Sequence, residues 1–178
     1  DIDMVVMTHL HADHVGWNLT NGAPTFPNAR YLVPRTDWDY WTQPDVLASA
    51  EHVQNQVLPL EKLNIMDLIE DDYSITDDLT TIATPGHTPG STCFSIGNHL
   101  FSGDTLFPNG PGKTGSPEKL AEIIHSITSS LFTLDEDTNI FPGHGDDGIL
   151  KEEKGKYDVF ASKEHPADLA GDVEWLKS

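Results

Sequence analysis

Short apolar runs, most of them ended by Gly, Pro or Asp, recur along the chain and predict β-strands. Gly97 and Asn98 separate two of these runs and predict a tight hairpin turn. No internal repeat, low-complexity segment or linker interrupts the pattern, so the 178 residues predict one domain over 1–178. The predicted strands cover 2–8, 29–33, 65–69, 79–84, 91–96, 99–102 and 138–141.

Helical spacing of apolar residues predicts helices over 13–18, 37–41 and 45–58, and a fourth from Ser116 onward. Thr36 is expected to cap the second helix, and Pro59 is expected to end the third. Ser116 and Pro117 form a strong helix start, because a serine cap precedes a proline at the first helical position. The apolar face of this fourth helix comprises Leu120, Ile123, Ile124, Ile127 and Leu131.

The most informative stretch lies directly after the first predicted strand, where three imidazoles and one carboxylate fall within six residues. His9 and His11 are two apart in extended backbone, so they point to the same side and can reach one metal ion. Asp13 and His14 come one turn later and suit a second ion. Imidazole and carboxylate donors without thiolate favour Zn²⁺, with Fe and Mn as alternatives.

Three further candidate ligands follow later strands at glycine-rich turns. His87 lies between two Pro-Gly pairs, Asp104 follows the run at 99–102, and His144 follows the run at 138–141. Loops at strand ends, carried on a rigid sheet, are where functional sites are usually built. The four other histidines are expected to be surface or hydrogen-bonded side chains: His52, His99, His125 and His165.

These residues resemble the motifs of the metallo-β-lactamase-fold hydrolases, in particular the glyoxalase II and lactonase-like branch. The family's H-x-H-x-D-H motif matches His9, His11, Asp13 and His14, and its later ligands match His87, Asp104 and His144. The resemblance implies an α/β fold built as an αββα sandwich around two divalent ions. It implies that His9, His11 and His87 hold one ion, that Asp13, His14 and His144 hold the other, and that Asp104 bridges them.

The resemblance also implies a hydrolase of a small ester, thioester or lactone, with a metal-bridging hydroxide as the nucleophile. Such a site needs no serine or cysteine nucleophile. Asp13 is the expected proton carrier, and Asp104 is the second expected catalytic residue. Two alternatives are an iron-dependent persulfide dioxygenase on the same scaffold and a truncated, non-catalytic metal-binding domain.

Composition limits the partners. A formal net charge of −19 argues against nucleic acid, because phosphate binding needs clustered Lys and Arg. It also disfavours anionic membranes, and no apolar run is long enough to span a bilayer. We therefore expect a small-molecule substrate. The single cysteine, Cys93, lies in a predicted strand and is expected to be a buried thiol. The compartment stays open, with the cytoplasm as the expectation.

Two segments bear on the substrate. The region between the first motif and His87 is rich in aromatics, which either pack in the core or form an apolar wall over the metals. The loop after Asp104 is similar to that of glyoxalase II enzymes, which implies that Lys113 anchors a substrate carboxylate. The acidic tail after His144 is too short for a glutathione-binding helical domain. The aromatics are Trp17, Phe26, Tyr31, Trp38, Tyr40 and Trp41.

The first residues raise a further expectation. The chain opens at Asp1 and enters the metal motif almost at once, whereas members of this family have several strands before that point. We therefore expect an incomplete N-terminal sheet with some uncovered apolar faces. The Asp at position 104, where some antibiotic-degrading relatives have Cys, makes a β-lactam substrate less favoured.

Overall fold

The computed structural model describes all 178 residues and divides into two compact units, Asp1–Asp71 and Asp72–Ser178. Each unit has its own sheet and its own hydrophobic core. The mixture of helices and strands confirms the α/β prediction. No helix combines the length and the apolar character that crossing a membrane requires. The prediction of a single domain remains a prediction.

The first unit is built on a three-stranded parallel sheet in the order β1-β4-β5. A two-stranded antiparallel hairpin, β2-β3, follows the first short helix. The elements are β1 (Met4–Val6), α1 (Ala12–Val15), β2 (Leu19–Thr20), β3 (Ala23–Pro24), β4 (Arg30–Pro34), α2 (Arg35–Trp41), α3 (Pro44–Leu47), α4 (Glu51–Gln56), α5 (Leu58–Lys62) and β5 (Met66–Ile69).

Two helix predictions in this unit were wrong in detail. Thr36 does not cap a helix, because β4 ends at Pro34 and α2 begins at the next residue, which places Thr36 inside the first turn. The helix predicted over 45–58 is three short helices, and Pro59 lies in the first turn of α5. Proline is tolerated there because its missing N–H would have no helical partner. The buried face nevertheless continues across the breaks through Ala50, Val53, Val57 and Leu60.

The second unit carries a five-stranded sheet in the order β12-β11-β8-β7-β6, together with the short pair β10-β9. Strands β6, β7 and β8 form an antiparallel meander, and β8 pairs with β11 in parallel. The elements are β6 (Leu79–Ala83), β7 (Thr92–Ile96), β8 (His99–Gly103), β9 (Leu106–Phe107), β10 (Gly110–Pro111), α6 (Pro117–Ser129), a 3₁₀ turn (Leu131–Thr133), β11 (Asn139–Pro142), β12 (Gly148–Ile149) and α7 (Leu150–Ala161).

Helix α6 confirms the predicted start, since the Ser116 hydroxyl accepts a hydrogen bond from the Lys119 N–H. Its apolar face supplies much of the second core, as predicted. The strand at 138–141 was expected to be the last, but β12 and α7 follow it. Helix α7 and the chain after it place Phe160 and Trp175 in this core, so the acidic tail is part of the folded unit.

Candidate metal centre

The first unit holds the four donors of the first motif at the end of β1. The Met7 N–H donates to the Leu32 carbonyl over 3.1 Å and extends the pairing of β1 with β4. Leu10 is fully buried and fixes the chain between the first two histidines. The N–H groups of His14 and Val15 then donate to the His11 carbonyl, which opens α1. A strand end, a buried leucine and a helix start therefore determine where the donors lie.

The imidazoles of this motif contact one another. The ring centroids of His9 and His11 lie 4.8 Å apart, and those of His9 and His14 lie 4.0 Å apart. The Asp13 Oδ2 lies 3.7 Å from the His14 Nε2. Thr8 Oγ1 and His9 Nδ1 share a hydrogen bond of 3.1 Å, which makes Nε2 the atom through which His9 would coordinate. All four predicted donors of this unit thus form one cluster.

Asp37 is a functional candidate that the sequence reasoning did not identify. Its carboxylate is fully buried, and its Oδ2 accepts a 2.8 Å hydrogen bond from the Leu10 N–H, between the first two histidines. A buried carboxylate bonded to the backbone between two candidate ligands fixes that loop, and outer partners of this kind orient metal ligands. The only signal in the sequence is an acidic residue three positions after the end of β4.

In the second unit, His87 follows a turn that only glycine can form. Gly86 has a φ of +140°, and a Cβ there would lie 2.4 Å from the Cβ of Ile123. The Pro85 carbonyl accepts a 2.8 Å hydrogen bond from the Ser126 hydroxyl. The His87 loop is therefore seated directly on α6, so the packing of this helix sets the position of the imidazole.

Asp104 and His144 meet because β8 and β11 are parallel neighbours. The Gly143 N–H donates to the Gly103 carbonyl over 2.8 Å, which ties together the two loops just past the strands. The Asp104 Oδ2 lies 3.3 Å from the His144 Nε2 and 3.7 Å from the His87 Nε2. The three predicted donors of this unit are thus gathered around one carboxylate oxygen.

These separations fit metal coordination. Zn–N and Zn–O bonds of about 2.0–2.2 Å at tetrahedral angles place neighbouring donor atoms roughly 3.3–3.6 Å apart. The 3.3 Å and 3.7 Å separations around Asp104 are close to that range, and 3.7 Å is longer than a normal hydrogen bond. The donors are imidazole nitrogen and carboxylate oxygen without thiolate, which suits Zn²⁺ and also Fe or Mn. The residues present therefore fit a divalent metal.

Lys113 lies in the loop after Asp104, and its side chain contacts Asp172. Its Nζ is 3.6 Å from the Asp172 Oδ2, and the lysine side chain is 68 % exposed. Its backbone carbonyl, in contrast, shares a 2.8 Å hydrogen bond with the His87 Nδ1. Lys113 therefore contacts the candidate site through its main chain. The predicted role of the Lys113 side chain with substrate remains a prediction.

Cys93 is a fully buried thiol, as predicted, in the core of the second unit. Burial raises its pKa to about 11. Its Sγ lies 3.3 Å from the Thr84 Oγ1, and this hydroxyl lies 2.9 Å from the Thr105 Oγ1. The cluster joins the strand before His87 to the residue after Asp104. Cys93 is thus a structural neighbour of the donors and an unreactive thiol.

Half of the six predicted aromatics belong to the core of the first unit. Tyr31 is fully buried, and Trp38 and Trp41 pack against the same core. Trp17 and Phe26 are exposed instead, at 81 % and 37 %. Trp41 also stands edge-on to the His11 ring, with centroids 5.5 Å apart. Core packing is therefore the role of these three aromatics, and Trp41 combines it with a contact to a predicted ligand.

An α/β fold with imidazole and carboxylate donors clustered at strand ends is typical of a class of metal-binding proteins. A sequence model of the metallo-beta-lactamase superfamily matches residues 1–144, and the chain belongs to that superfamily. The crystal structure of TTHA1623 in a di-iron-bound form shares the fold. It has a TM-score of 0.65 and 24 % sequence identity, and the match covers 85 % of this chain and 74 % of that one.

Two curated relatives of similar sequence are named for their activities. The chain is 36 % identical over 100 residues to the N-acyl homoserine lactonase AttM of Agrobacterium fabrum, a match over 54 % of this chain and 36 % of the relative. It is 27 % identical over 148 residues to the probable polyketide biosynthesis zinc-dependent hydrolase BaeB of Bacillus velezensis, over 81 % and 57 % respectively. The chain thus spans between about a third and three fifths of the length of these relatives.

Proposed function

We propose that this chain is a metal-dependent hydrolase of a small ester, thioester or lactone. The observation that carries the proposal is the gathering of the three donors of the second unit, with both imidazoles within 3.7 Å of the Asp104 carboxylate. Membership of the superfamily and the names of the relatives support it. The acidic composition, with a net charge of −19, agrees with a small substrate better than with a nucleic acid.

We propose that this chain holds two divalent ions, most favourably Zn²⁺. When bound, such ions lower the pKa of water to about 7 and polarise the bond under attack, which supplies a nucleophile at neutral pH. The proposed ligands are His9, His11, Asp13, His14, His87, Asp104 and His144.

The side chains of the site have separate tasks in this proposal. Asp104 is held at the end of β8 and keeps His87 and His144 at fixed separations. Asp13 is 67 % exposed beside His14, so its carboxylate can receive a proton and pass it to the leaving group. Lys113 is proposed to neutralise a carboxylate of the substrate, in exchange for its contact with Asp172.

A lactone is the first substrate to test, because a named relative is an N-acyl homoserine lactonase. The test combines metal analysis with a panel of lactone, thioester, phosphotriester and β-lactam substrates. We expect two metal ions per chain and turnover of a lactone or a thioester. One iron per chain with oxygen uptake on a persulfide would replace this proposal with the dioxygenase alternative.

The residues are tested by His11→Ala and Asp104→Ala. Both variants are expected to lose turnover and bound metal while far-UV circular dichroism stays unchanged. His125→Ala is the matched control, because this histidine is exposed on α6 and is expected to keep both. Wild-type turnover and metal content in purified Asp104→Ala would contradict the proposal.

A further inference from the structure

The loop after Asp104 presents a backbone carbonyl to a predicted ligand. The carbonyl oxygen of Lys113 lies 2.8 Å from the His87 Nδ1. A neutral imidazole has one N–H, so an Nδ1–H that donates to this carbonyl leaves the acceptor lone pair on Nε2. Nε2 is the atom that faces the Asp104 Oδ2 at 3.7 Å. The position of one carbonyl therefore selects the ring nitrogen that would coordinate.

The backbone that leads to Lys113 passes through a space at Gly112 that is too narrow for any side chain. A Cβ on Gly112 would lie 1.7 Å from the Asp104 carbonyl oxygen and 3.4 Å from the His87 Nδ1. The Gly112 N–H also donates to the Thr105 carbonyl over 3.1 Å. The backbone at Gly112 is thus enclosed between the main chain of one donor and the ring of another.

The far side of the same loop is fastened to the last part of the chain, residues 171–175, which we call the C-terminal strap. The Gly171 N–H donates to the Thr114 carbonyl over 2.9 Å, and the Thr114 N–H donates back over 3.2 Å. The Trp175 N–H donates to the Asn109 carbonyl over 2.8 Å, and the Trp175 side chain is fully buried. The strap therefore holds this loop at both Asn109 and Thr114.

We infer that the C-terminal strap is a positioning element for the metal ligand His87, acting through the carbonyl of Lys113. The strap fixes the backbone at Thr114, and Gly112 fixes it on the other side of Lys113. The carbonyl between them then has one position, which holds the imidazole with Nε2 directed at the donor cluster. This inference rests on the proposed function, because it takes His87 as a ligand.

The first experiment compares Gly112→Ala with Gly115→Ala. A Cβ at Gly115 meets nothing within 4 Å, so this variant in the same loop is a matched control. The tautomer of His87 is read by ¹⁵N NMR of the metal-free protein, and zinc affinity by competition with a chromogenic chelator. Gly112→Ala is expected to mix the two tautomers and to weaken zinc binding about 10–100-fold, the range for lost outer partners. Gly115→Ala is expected to match the wild type.

The second experiment tests the strap itself by comparing Gly171→Ala with Gly97→Ala. Both glycines have a positive φ, +88° and +56°, and neither has an atom within 4 Å of an added Cβ. The backbone strain is therefore similar in kind, but Gly97 lies in the β7–β8 hairpin, away from the strap. Gly171→Ala is expected to shift the tautomer and weaken zinc binding several-fold, whereas Gly97→Ala is expected to change neither.

The outcomes distinguish a failure of the inference about the strap from a failure of the proposed function. A folded Gly112→Ala or Gly171→Ala variant with the wild-type tautomer and zinc affinity would overturn the role of the loop or of the strap. If Gly112→Ala does not fold, the Gly171 and Gly97 pair decides. The proposed function fails separately if His87→Gln keeps wild-type zinc affinity, since the tautomer readout needs no metal.

Discussion

The two units place their donors in different ways. In the first unit, four donors come from one stretch of six residues, and a strand end and a helix start set their positions. In the second unit, three donors come from three loops, after β6, β8 and β11, and meet because of the order of strands in the sheet. The first cluster is therefore a local property of the sequence, whereas the second is a property of packing.

The largest effect on stability is expected from two core truncations, one in each unit, and they test this difference between the units. Ile123 packs against Gly86, next to His87, and Leu60 is an equally buried residue of the first core. Ile123→Ala and Leu60→Ala should each lower the free energy of unfolding by about 2–5 kcal/mol. Only Ile123→Ala should also weaken zinc binding at temperatures where both variants are folded, because the cavity that it leaves loosens α6, on which the His87 loop is seated. Equal losses of zinc affinity in the two variants would remove the contrast.

The second prediction concerns Asp37, the buried acceptor in the first unit. Asp37→Leu leaves the Leu10 N–H without its acceptor, which should lower stability by about 1–3 kcal/mol. It should also weaken zinc binding, because the loop between His9 and His11 is released. Asp37→Asn keeps an acceptor oxygen and is the control. An Asp37→Leu protein with wild-type melting temperature and zinc affinity would show that the first motif needs no such support.

The third prediction uses Cys93 as a reporter of the second core. Burial raises its pKa to about 11, so at pH 8 about a thousandth of the thiol is thiolate. Iodoacetamide should therefore leave the native protein unmodified at pH 8 and label it in denaturant, as mass spectrometry would show. Because the folded pKa is raised, the contribution to stability is present below the ordinary pKa and is lost as pH rises toward 11. Rapid labelling of native protein would show that this core opens.

The smallest effect is expected at the ion pair between β4 and β5. The Arg30 Nε donates to the Asp67 Oδ2 over 2.7 Å, and this hydrogen bond holds the pKa of Asp67 below its ordinary value. The pair therefore stabilises the folded chain near neutral pH, and its contribution is lost as pH falls through the lowered pKa. Both side chains are nearly half exposed, so Arg30→Gln should lower the melting temperature far less than Leu60→Ala. A comparable drop would contradict this.

The sequence predicted the parts that short-range chemistry determines. The first motif and the cap at Ser116 depend on neighbours within a few positions, and the burial of Cys93 was predicted from the local strand pattern around it. Helix α7 was missed because its buried residues, Leu150, Glu153 and Phe160, do not form a regular apolar stripe. Its Glu153 is buried because it accepts from the Asn109 N–H, a contact 44 positions away that no local pattern shows.

The same reason explains what was missed at the candidate site. Asp37 acts through a main-chain N–H 27 positions earlier, and the acceptor of His87 is a backbone carbonyl that any residue at position 113 would supply. Neither contact has a residue-type signature. The candidate donors could be proposed from the sequence because metal chemistry restricts their residue types, whereas the groups that orient them depend on where the backbone passes.

The central claim is that these seven imidazole and carboxylate side chains together hold two ions. Anomalous diffraction at the zinc edge from crystals of the zinc-loaded protein tests it most directly. Two zinc peaks, each within bonding distance of residues proposed as ligands and one of them beside Asp104, are the predicted result. Peaks at other histidines, or no peak beside Asp104 in fully loaded crystals, would contradict it.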